Sequence, residues 1–295
     1  MSERYCDLIK KIQENNSQDY RSSQAISPIL FHNTITHLNP QFREFDANDS
    51  KDLLLFLFQS MHEELNYYGN NKLSGIPTCN QRIPQEALDF FLQINNEMNL
   101  SIFSYLFYGI FESETKCCFC REKFYNFQYF QIITFPLYNH INKSKKYNIY
   151  KGFQDFIKTE RMTGNNQCYC QNCKGLRDCE VGSLIYLTPP YLIINLDYGK
   201  DKRYNPIGFE FGEILDLSGF TLDICTEKEY KLVAVSTHIG QSGASGHYIA
   251  YCKSPFKNEY DSSWYKFNDS YVSKVEFEEV KEHSPYFLIY RKTNE

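Results

Sequence analysis

The sequence predicts an α+β fold in which a helical first third is followed by a mostly antiparallel sheet. Residues 1–65 carry helix-forming patterns, whereas from about Phe103 the chain turns to runs rich in Ile, Val, Tyr and Phe. These runs follow one another without alternating helices, which argues against parallel βαβ units. With 295 residues, 42% of them hydrophobic, the chain is long enough for one large core or two smaller ones.

The helical region ends in a strongly apolar helix before residue 65. Asn48 or Asp49 can cap its start, and Asp52 suits the positive end of the helix dipole. Residues 53–58 are apolar without a gap, so we expect this helix to be buried on nearly all sides.

A loop and a further helix precede the sheet region. Residues 67–82 are rich in Asn and Gly and predict an exposed loop, and Pro84 suits the first turn of a helix. The predicted strands share β-branched and aromatic residues bounded by Gly, Pro or Asn. They are 124–137, 183–196, 230–238, 247–253, 264–268 and 286–291.

Composition restricts the class of protein. The net charge of -5 and the pI near 5.9 are not those of a nucleic-acid-binding protein. No apolar run approaches the roughly 18 residues of a membrane span, and residues 1–16 lack the apolar core of a secretory signal. We therefore expect an intracellular protein, cytoplasmic or nuclear or both, without membrane or nucleic-acid partners. Its 11 cysteines are not expected to form a disulfide framework, because cytosolic thiols stay reduced.

Two Cys-x-x-Cys pairs predict a metal site. Cys117 and Cys120 form one pair, and Cys170 and Cys173 form the other after 49 intervening residues. Four thiolates make a closed tetrahedral zinc site, which is structural because no position stays open for water. The alternative is four unpaired thiols at strand ends. Cys118 and Cys168 crowd the pairs but break the two-residue spacing.

The C-terminal third carries a candidate general base. His247 opens a predicted strand directly after a loop that contains Gly243 and Gly246, and Asn268 and Asp269 end a later strand. An imidazole oriented by an amide or a carboxylate is the base half of a thiol protease. The alternative is a hairpin in which the histidine is structural and its ring is hydrogen-bonded within the fold.

Taken together, these segments resemble the ubiquitin-specific proteases. The resemblance rests on four stretches and the cysteine pairs, in the family's order over almost the whole chain. They are Gly246-His-Tyr-Ile-Ala-Tyr251, Trp264 with Phe267-Asn-Asp269, residues 232–240, and Asn48-Asp-Ser-Lys-Asp-Leu53. The end of the strand at residues 192–200 departs from the family's Leu-Lys-Arg-Phe and indicates a divergent branch.

The resemblance implies a papain-like cysteine protease fold with thumb, palm and zinc-bearing fingers. On this interpretation, residues 1–100 are the remainder of the helical thumb, 101–190 the fingers and 191–295 the palm. The implied activity is that of a deubiquitinase, which hydrolyses the isopeptide bond at the C-terminal glycine of ubiquitin. Ubiquitin and ubiquitinated proteins are the implied partners, and the implied cofactor is structural zinc.

The same resemblance assigns roles to individual residues. His247 is the general base, and Asn268 falls on the third triad position with Asp269 beside it. Asp49 falls on the aspartate that contacts the basic tail of ubiquitin. Gly243 and Gly246 let their loop close over that tail.

One part of the family's pattern is missing. The Asn-x-Gly-x-x-Cys-Tyr box that supplies the nucleophile is absent, and residue 1 is expected to lie after it. Cys6 lacks the Gly and Asn context, Cys252 lies on the opposite strand face from His247, and Cys79 and Cys225 lie in predicted loops. The chain as printed is therefore expected to be inactive. An inactive ubiquitin-binding scaffold and a hydrolase for another ubiquitin-like modifier are the alternatives.

Overall fold

The computed structural model describes residues 1–17, 26–43, 48–67, 80–96, 100–140, 146–199, 208–222, 227–242, 245–254 and 263–293. The helices are α1 Ser2–Ser17, α2 Ile29–Leu38, α3 Ser50–Glu64, α4 Pro84–Asn96, α5 Ile102–Phe107, α6 Ile149–Phe156 and α7 Phe277–Glu282. The short 3-10 turns are Pro40–Phe42, Leu137–His140 and Gly164–Asn166.

The strands follow from residue 109 onward. They are β1 Gly109–Cys117, β2 Lys123–Phe130, β3 Ile132–Pro136, β4 Lys146–Asn148, β5 Glu160–Met162, β6 Cys168–Cys170, β7 Gly175–Arg177, β8 Cys179–Leu187, β9 Tyr191–Asp197, β10 Gly208–Glu210, β11 Ile214–Asp216, β12 Glu229–Ser242, β13 Ser245–Lys253, β14 Trp264–Asn268, β15 Tyr271–Val275 and β16 Pro285–Lys292. The α+β class is thus confirmed, with helices first and antiparallel strands after them.

Helix α3 joins the helical region to the rest of the molecule. Asp49 is its N-cap and accepts a hydrogen bond from the backbone N–H of Lys51 at 2.8 Å. Met61 packs into a small helical core, whereas Phe58 packs with Ile193 of β9 and with residues of β16. The helix is therefore apolar on two sides, although most of residues 53–57 are half-buried rather than fully buried as expected.

The long sheet has eight strands and contains the C-terminal part of the chain. Seven of them follow the order β15-β14-β13-β12-β16-β9-β3, and β11 pairs with β12 off this path. Its pairings are antiparallel except for β3 with β9. One face packs against α6 and α7 around fully buried side chains such as Phe153, Val280 and Tyr290, and this cluster is the main core.

The short sheet has the order β2-β1-β8-β5 and is antiparallel throughout. Helix α4, which begins at Pro84 as predicted, covers one face through Ala87 and Leu88 against Ile110 and Phe127. The sheet has little core of its own beyond this cluster.

Two predicted strands are each divided between the two sheets. The stretch 124–137 breaks at Gln131 into β2 and β3, and the stretch 183–196 breaks between residues 187 and 191 into β8 and β9. Pro189 and Pro190 lack the N–H that a continuing ladder needs, which accounts for the second break. Both breaks lie where the chain passes from the short sheet to the long one.

No helix in the described part of the chain is long and apolar enough to cross a membrane.

Gly109 tests how tightly the base of the short sheet is packed. A Cβ there would collide with the buried ring of Phe130 and lie 2.7 Å from the carbonyl oxygen of Leu187. We expect Gly109→Ala to lower the free energy of unfolding by about 1–3 kcal/mol, because the backbone carbonyl of Leu187 cannot move without distorting the paired strand.

The matched control for this prediction is Gly219→Ala, because an added Cβ there meets nothing within 4 Å. Denaturant titration of the two variants measures the difference. Equal stabilities would contradict the packing described at β1.

Candidate active site and metal centre

His247 and Asn268 meet at neighbouring strand ends of the long sheet. Strands β13 and β14 pair with Ala250 opposite Phe267, which brings the first residues of β13 beside the last residue of β14. His247 Nε2 lies 2.6 Å from Asn268 Oδ1. An amide oxygen only accepts hydrogen bonds, so Nε2 carries the hydrogen and Nδ1 is left with its lone pair. The pair can therefore act as an oriented base.

Asp269 lies near this pair but is not hydrogen-bonded to the His247 ring. Its Oδ2 lies 3.8 Å from His247 Nε2, beyond hydrogen-bonding distance, and its side chain is 79% exposed. The backbone of Asp269 is left-handed, with φ of 52°, in the tight turn between β14 and β15. Asn268 is thus the residue that orients His247, and Asp269 lies close enough to attract the charged imidazolium.

Gly246 lies against His238 across the β12–β13 hairpin. A Cβ on Gly246 would collide with the His238 ring and lie 2.8 Å from the carbonyl oxygen of Ile239. The His238 ring in turn packs on Tyr248, with 4.8 Å between ring centroids. The absence of a side chain at Gly246 is therefore required by the hairpin itself. Gly243 lies outside the described residues.

Asp49 is held by a residue that the sequence patterns did not single out. The hydroxyl of Tyr286, at the start of β16, donates to both carboxylate oxygens of Asp49, at 2.6 Å each. Burial and the neighbouring carboxylate of Asp49 raise the pKa of Tyr286 well above its usual range, so the phenol stays protonated. These two residues are 237 positions apart, and no local motif marks Tyr286 as the partner.

A cavity of about 430 Å³ lies beside the first turns of α3. It separates α3 from the junction of β2 and β3. Its lining comprises Lys51, Leu55, Tyr108, Tyr129, Phe130, Gln131, Ile132 and Thr134. Asp49 is two residues from Lys51, so the cavity adjoins the N-terminal end of α3.

The four predicted metal ligands meet at the far end of the short sheet. The sulfur atoms of Cys117, Cys120, Cys170 and Cys173 all lie within 4.8 Å of one another. Two of the separations are 4.0 Å, between Cys117 and Cys173, and 3.6 Å, between Cys120 and Cys170. A tetrahedral ion with bonds of about 2.3 Å places its sulfur ligands about 3.8 Å apart. The cluster therefore has the dimensions and the ligand type of a closed zinc site.

The acidity of the cluster is uneven. Hydrogen bonds from the side chain of Asn172 and the backbone of Glu122 lower the pKa of Cys120 to about 6. Burial and hydrogen bonds to the neighbouring thiols raise the pKa of Cys173 to about 12. Cys120 therefore ionises before Cys173, and thiolate is the form that binds metal.

Cys168 and Cys179 form a disulfide beside this cluster, between β6 and β8, with 6.2 Å between their Cα atoms. Within the described residues this is one pair, not the disulfide framework that the sequence argued against. Cys168 lies opposite Arg177 across the β6–β7 hairpin and Cys179 follows two residues later, which brings the two sulfur atoms together.

No thiol is hydrogen-bonded to His247 within the described part of the chain. Cys6 is exposed on α1, and burial raises the pKa of Cys252. Cys79 and Cys225 lie outside the described residues.

Comparison with known proteins agrees with this arrangement. The family model described as ubiquitin carboxyl-terminal hydrolase matches residues 1–290. Ubiquitin carboxyl-terminal hydrolase 2 of Gallus gallus is 27% identical over 299 residues, which cover 98% of this chain and 79% of that protein. The Homo sapiens protein of the same name is 25% identical over 98% of this chain and 46% of its own length. The chain thus spans less than half of some curated relatives that it matches.

Solved structures give the same fold. The SAGA Ubp8/Sgf11/Sus1/Sgf73 DUB module bound to ubiquitin aldehyde contains a chain that matches with a TM-score of 0.64 at 19% identity. The match covers 90% of this chain and 54% of that chain. The fold is therefore the papain-like one with thumb, palm and fingers. We call the helical region the thumb, the long sheet the palm and the short sheet the fingers. With a family model matching nearly its whole length, the chain belongs to the ubiquitin carboxyl-terminal hydrolase family.

Proposed function

We propose that this chain forms the base-bearing part of a thiol-dependent deubiquitinase, which hydrolyses the isopeptide bond at the C-terminal glycine of ubiquitin. The observation that carries the proposal is the hydrogen bond between His247 Nε2 and Asn268 Oδ1, at 2.6 Å. This hydrogen bond leaves Nδ1 as a base of fixed orientation near the start of strand β13. Family membership supports the choice of ubiquitin as substrate.

The reaction uses this base twice. His247 Nδ1 takes the proton from a cysteine thiol, and the thiolate attacks the carbonyl carbon of the terminal glycine. The protonated His247 then gives its proton to the departing lysine amine; the freed base next takes a proton from the water that attacks the thioester, and returns it to the departing cysteine. Asn268 holds the ring throughout, and the carboxylate of Asp269, 3.8 Å away, stabilises the imidazolium.

The nucleophile in this proposal is a cysteine in the family's Asn-x-Gly-x-x-Cys-Tyr context, which these 295 residues do not contain. Cys6 and Cys252 have no contact with His247 in the described structure. A ubiquitin-binding scaffold is the second candidate function, and the missing box is the observation that favours it.

The ubiquitin tail is proposed to enter between thumb and palm at Asp49. The half-buried Asp49 carboxylate is fixed by the Tyr286 hydroxyl and by the backbone N–H of Lys51. A fixed carboxylate suits a basic tail, because its orientation costs no further ordering on binding. Gly243 and Gly246 are proposed to let their loop close over this tail.

Zinc is the proposed metal at the fingers cluster. Cys117, Cys120, Cys170 and Cys173 would hold it, and it would supply a cross-link between the β1–β2 connection and the β6–β7 hairpin. The proposed setting is intracellular, in the cytoplasm or nucleus, with ubiquitinated proteins as substrates.

The proposal is tested with a ubiquitin that carries a thiol-reactive group at its C terminus. We expect no labelling of the 295-residue chain and labelling once an Asn-x-Gly-x-x-Cys-Tyr segment is joined in front of it. In that longer protein His247→Gln should slow labelling by about 10²–10⁴-fold. Asn268→Ala should slow it more than Asp269→Ala, because only Asn268 is hydrogen-bonded to the ring.

His283→Gln, at the C-terminal end of α7, is the matched control and should label at the normal rate. Labelling of neither protein, with ubiquitin still bound, would favour the scaffold. Labelling of the shorter chain that is lost on changing Cys6 would contradict the assignment of the nucleophile.

The role of Asp49 is tested by removing its charge while keeping its cap. Asn caps helices about as well as Asp, and its amide oxygen can still accept from Tyr286, but a neutral acceptor is weaker, so Asp49→Asn should cost about 1 kcal/mol of stability. We expect its dissociation constant for ubiquitin to rise about 10-fold, the equivalent of 1.4 kcal/mol. Asp52→Asn, one turn along the same helix, is the control, and an equal effect there would contradict a specific role for Asp49.

Zinc content tests the metal assignment. We expect about one zinc ion per chain by elemental analysis, and its loss in Cys170→Ser. Cys118→Ser should keep the ion, because Cys118 is outside the four-sulfur cluster although it lies between two of the ligands. Zinc retained at full occupancy in Cys170→Ser would contradict the site.

A further inference from the structure

Strand β15 is an open edge of the palm sheet beside His247. It is the last strand in the sheet order and, in the part of the chain that the structure describes, pairs with β14 alone. Alternate residues of such a strand direct backbone N–H and C=O groups away from the sheet, where another strand can pair with them. Residues 271–274 are all exposed, so no described element covers this edge.

The part of this edge nearest the candidate active site is apolar. Tyr271 is 79% exposed and Val272 is 57% exposed. Tyr271 is the cross-strand partner of Asn268, whose side chain holds the ring of His247. Directly opposed residues lie about 5 Å apart on one face of a sheet, so Tyr271 borders the catalytic pair.

Edge strands exposed in this way are usually protected by charge. In β15 the single charged residue is Lys274, near the far end, whereas the half next to Asn268 reads Tyr271-Val272-Ser273. An edge strand whose exposed residues beside the candidate site are uncharged and partly apolar indicates a surface that binds another chain.

The order of strands in the sheet indicates which side of an isopeptide substrate the β15 edge faces. Asp49, the proposed contact of the ubiquitin tail, lies at β16 through its bond to Tyr286. His247 lies on β13, and β15 is on the other side of it in the order β15-β14-β13-β12-β16. An isopeptide substrate has two sides at the scissile bond, the tail of ubiquitin and the chain that bears the modified lysine. With the tail on the β16 side, the β15 edge faces the lysine-bearing chain.

We propose that β15 binds the segment of the substrate protein that carries the ubiquitin-linked lysine, as an added strand in an extended conformation. Main-chain hydrogen bonds to the open edge hold the segment, and Tyr271 and Val272 pack against its side chains. The inference rests on the proposed function, because it takes His247 and Asp49 as fixed points. It implies a preference for lysines in extended or unfolded segments over lysines within helices.

The test measures binding of the 295-residue chain to three ligands by titration calorimetry. They are free ubiquitin, ubiquitin joined through an isopeptide bond to a single lysine derivative, and ubiquitin joined in the same way to the central lysine of a short extended peptide. Mass spectrometry of the recovered ligands checks that they stay intact. We expect the peptide conjugate to bind about 10-fold more tightly than the other two.

Variants and a modified peptide then test whether the additional affinity for the peptide conjugate comes from β15. Tyr271→Ser should remove most of it while leaving the affinity for free ubiquitin unchanged. Tyr105→Ser is the matched control, since Tyr105 is 62% exposed on α5 in the thumb. A peptide with N-methyl groups on alternate amides should also lose the gain, because it cannot pair with a strand.

The outcomes separate the two proposals. Absence of ubiquitin binding contradicts the proposed function. Ubiquitin binding with equal affinity for all three ligands overturns the inference about β15 alone. A gain that survives both Tyr271→Ser and N-methylation overturns it as well.

Discussion

The contact between Asp49 and Tyr286 is the constraint on which the geometry of the cleft depends. One carboxylate caps helix α3 through the backbone N–H of Lys51, and its two oxygens share the hydroxyl hydrogen of Tyr286 on β16. Hydrogen bonds to a charged group are stronger than neutral ones, and this carboxylate is half-buried. The thumb is therefore tied to the palm at the helix end that faces the proposed tail site.

Strand pairing links that contact to the proposed catalytic pair, His247 and Asn268. Strand β16 pairs with β12, β12 with β13 and β13 with β14, which fixes Asn268 beside His247. A one-residue shift in any of these pairings would turn side chains to the other face. The fingers are held together differently, because their sheet has little core of its own. The four-cysteine cluster joins the segments at its far end, and α4 covers its base.

Local patterns predicted those parts of the molecule that local forces determine. The Cys-x-x-Cys spacing found four sulfur atoms that do meet, Pro84 marked the start of α4, and β14 has the predicted limits. The limits of α4 and β14 depend on residues within a few positions of one another, whereas the two sulfur pairs join residues 56 and 50 positions apart. His247 and Asn268 were predicted at strand ends from the sequence, and only the assignment of Asn268 to the third triad position came from the resemblance.

Long-range contacts account for what sequence patterns missed. Tyr286 is a functional candidate only because α3 packs over β16, and the Cys168–Cys179 disulfide joins residues on the two sides of the β6–β7 hairpin. The breaks that divide two apolar runs between fingers and palm depend on which sheet each half joins. Gly246 was expected to make room for ubiquitin, whereas its nearest neighbour is the ring of His238.

The most direct test of the central claim is the affinity of the chain for ubiquitin with and without its C-terminal tail. We propose that the decisive contacts with ubiquitin lie at Asp49 and at the His247 end of the cleft, where only the tail reaches. We therefore expect removal of the tail to weaken binding by at least about 10-fold, or 1.4 kcal/mol. Equal affinities for the two forms would contradict it, since ubiquitin would then be held by surfaces other than the cleft.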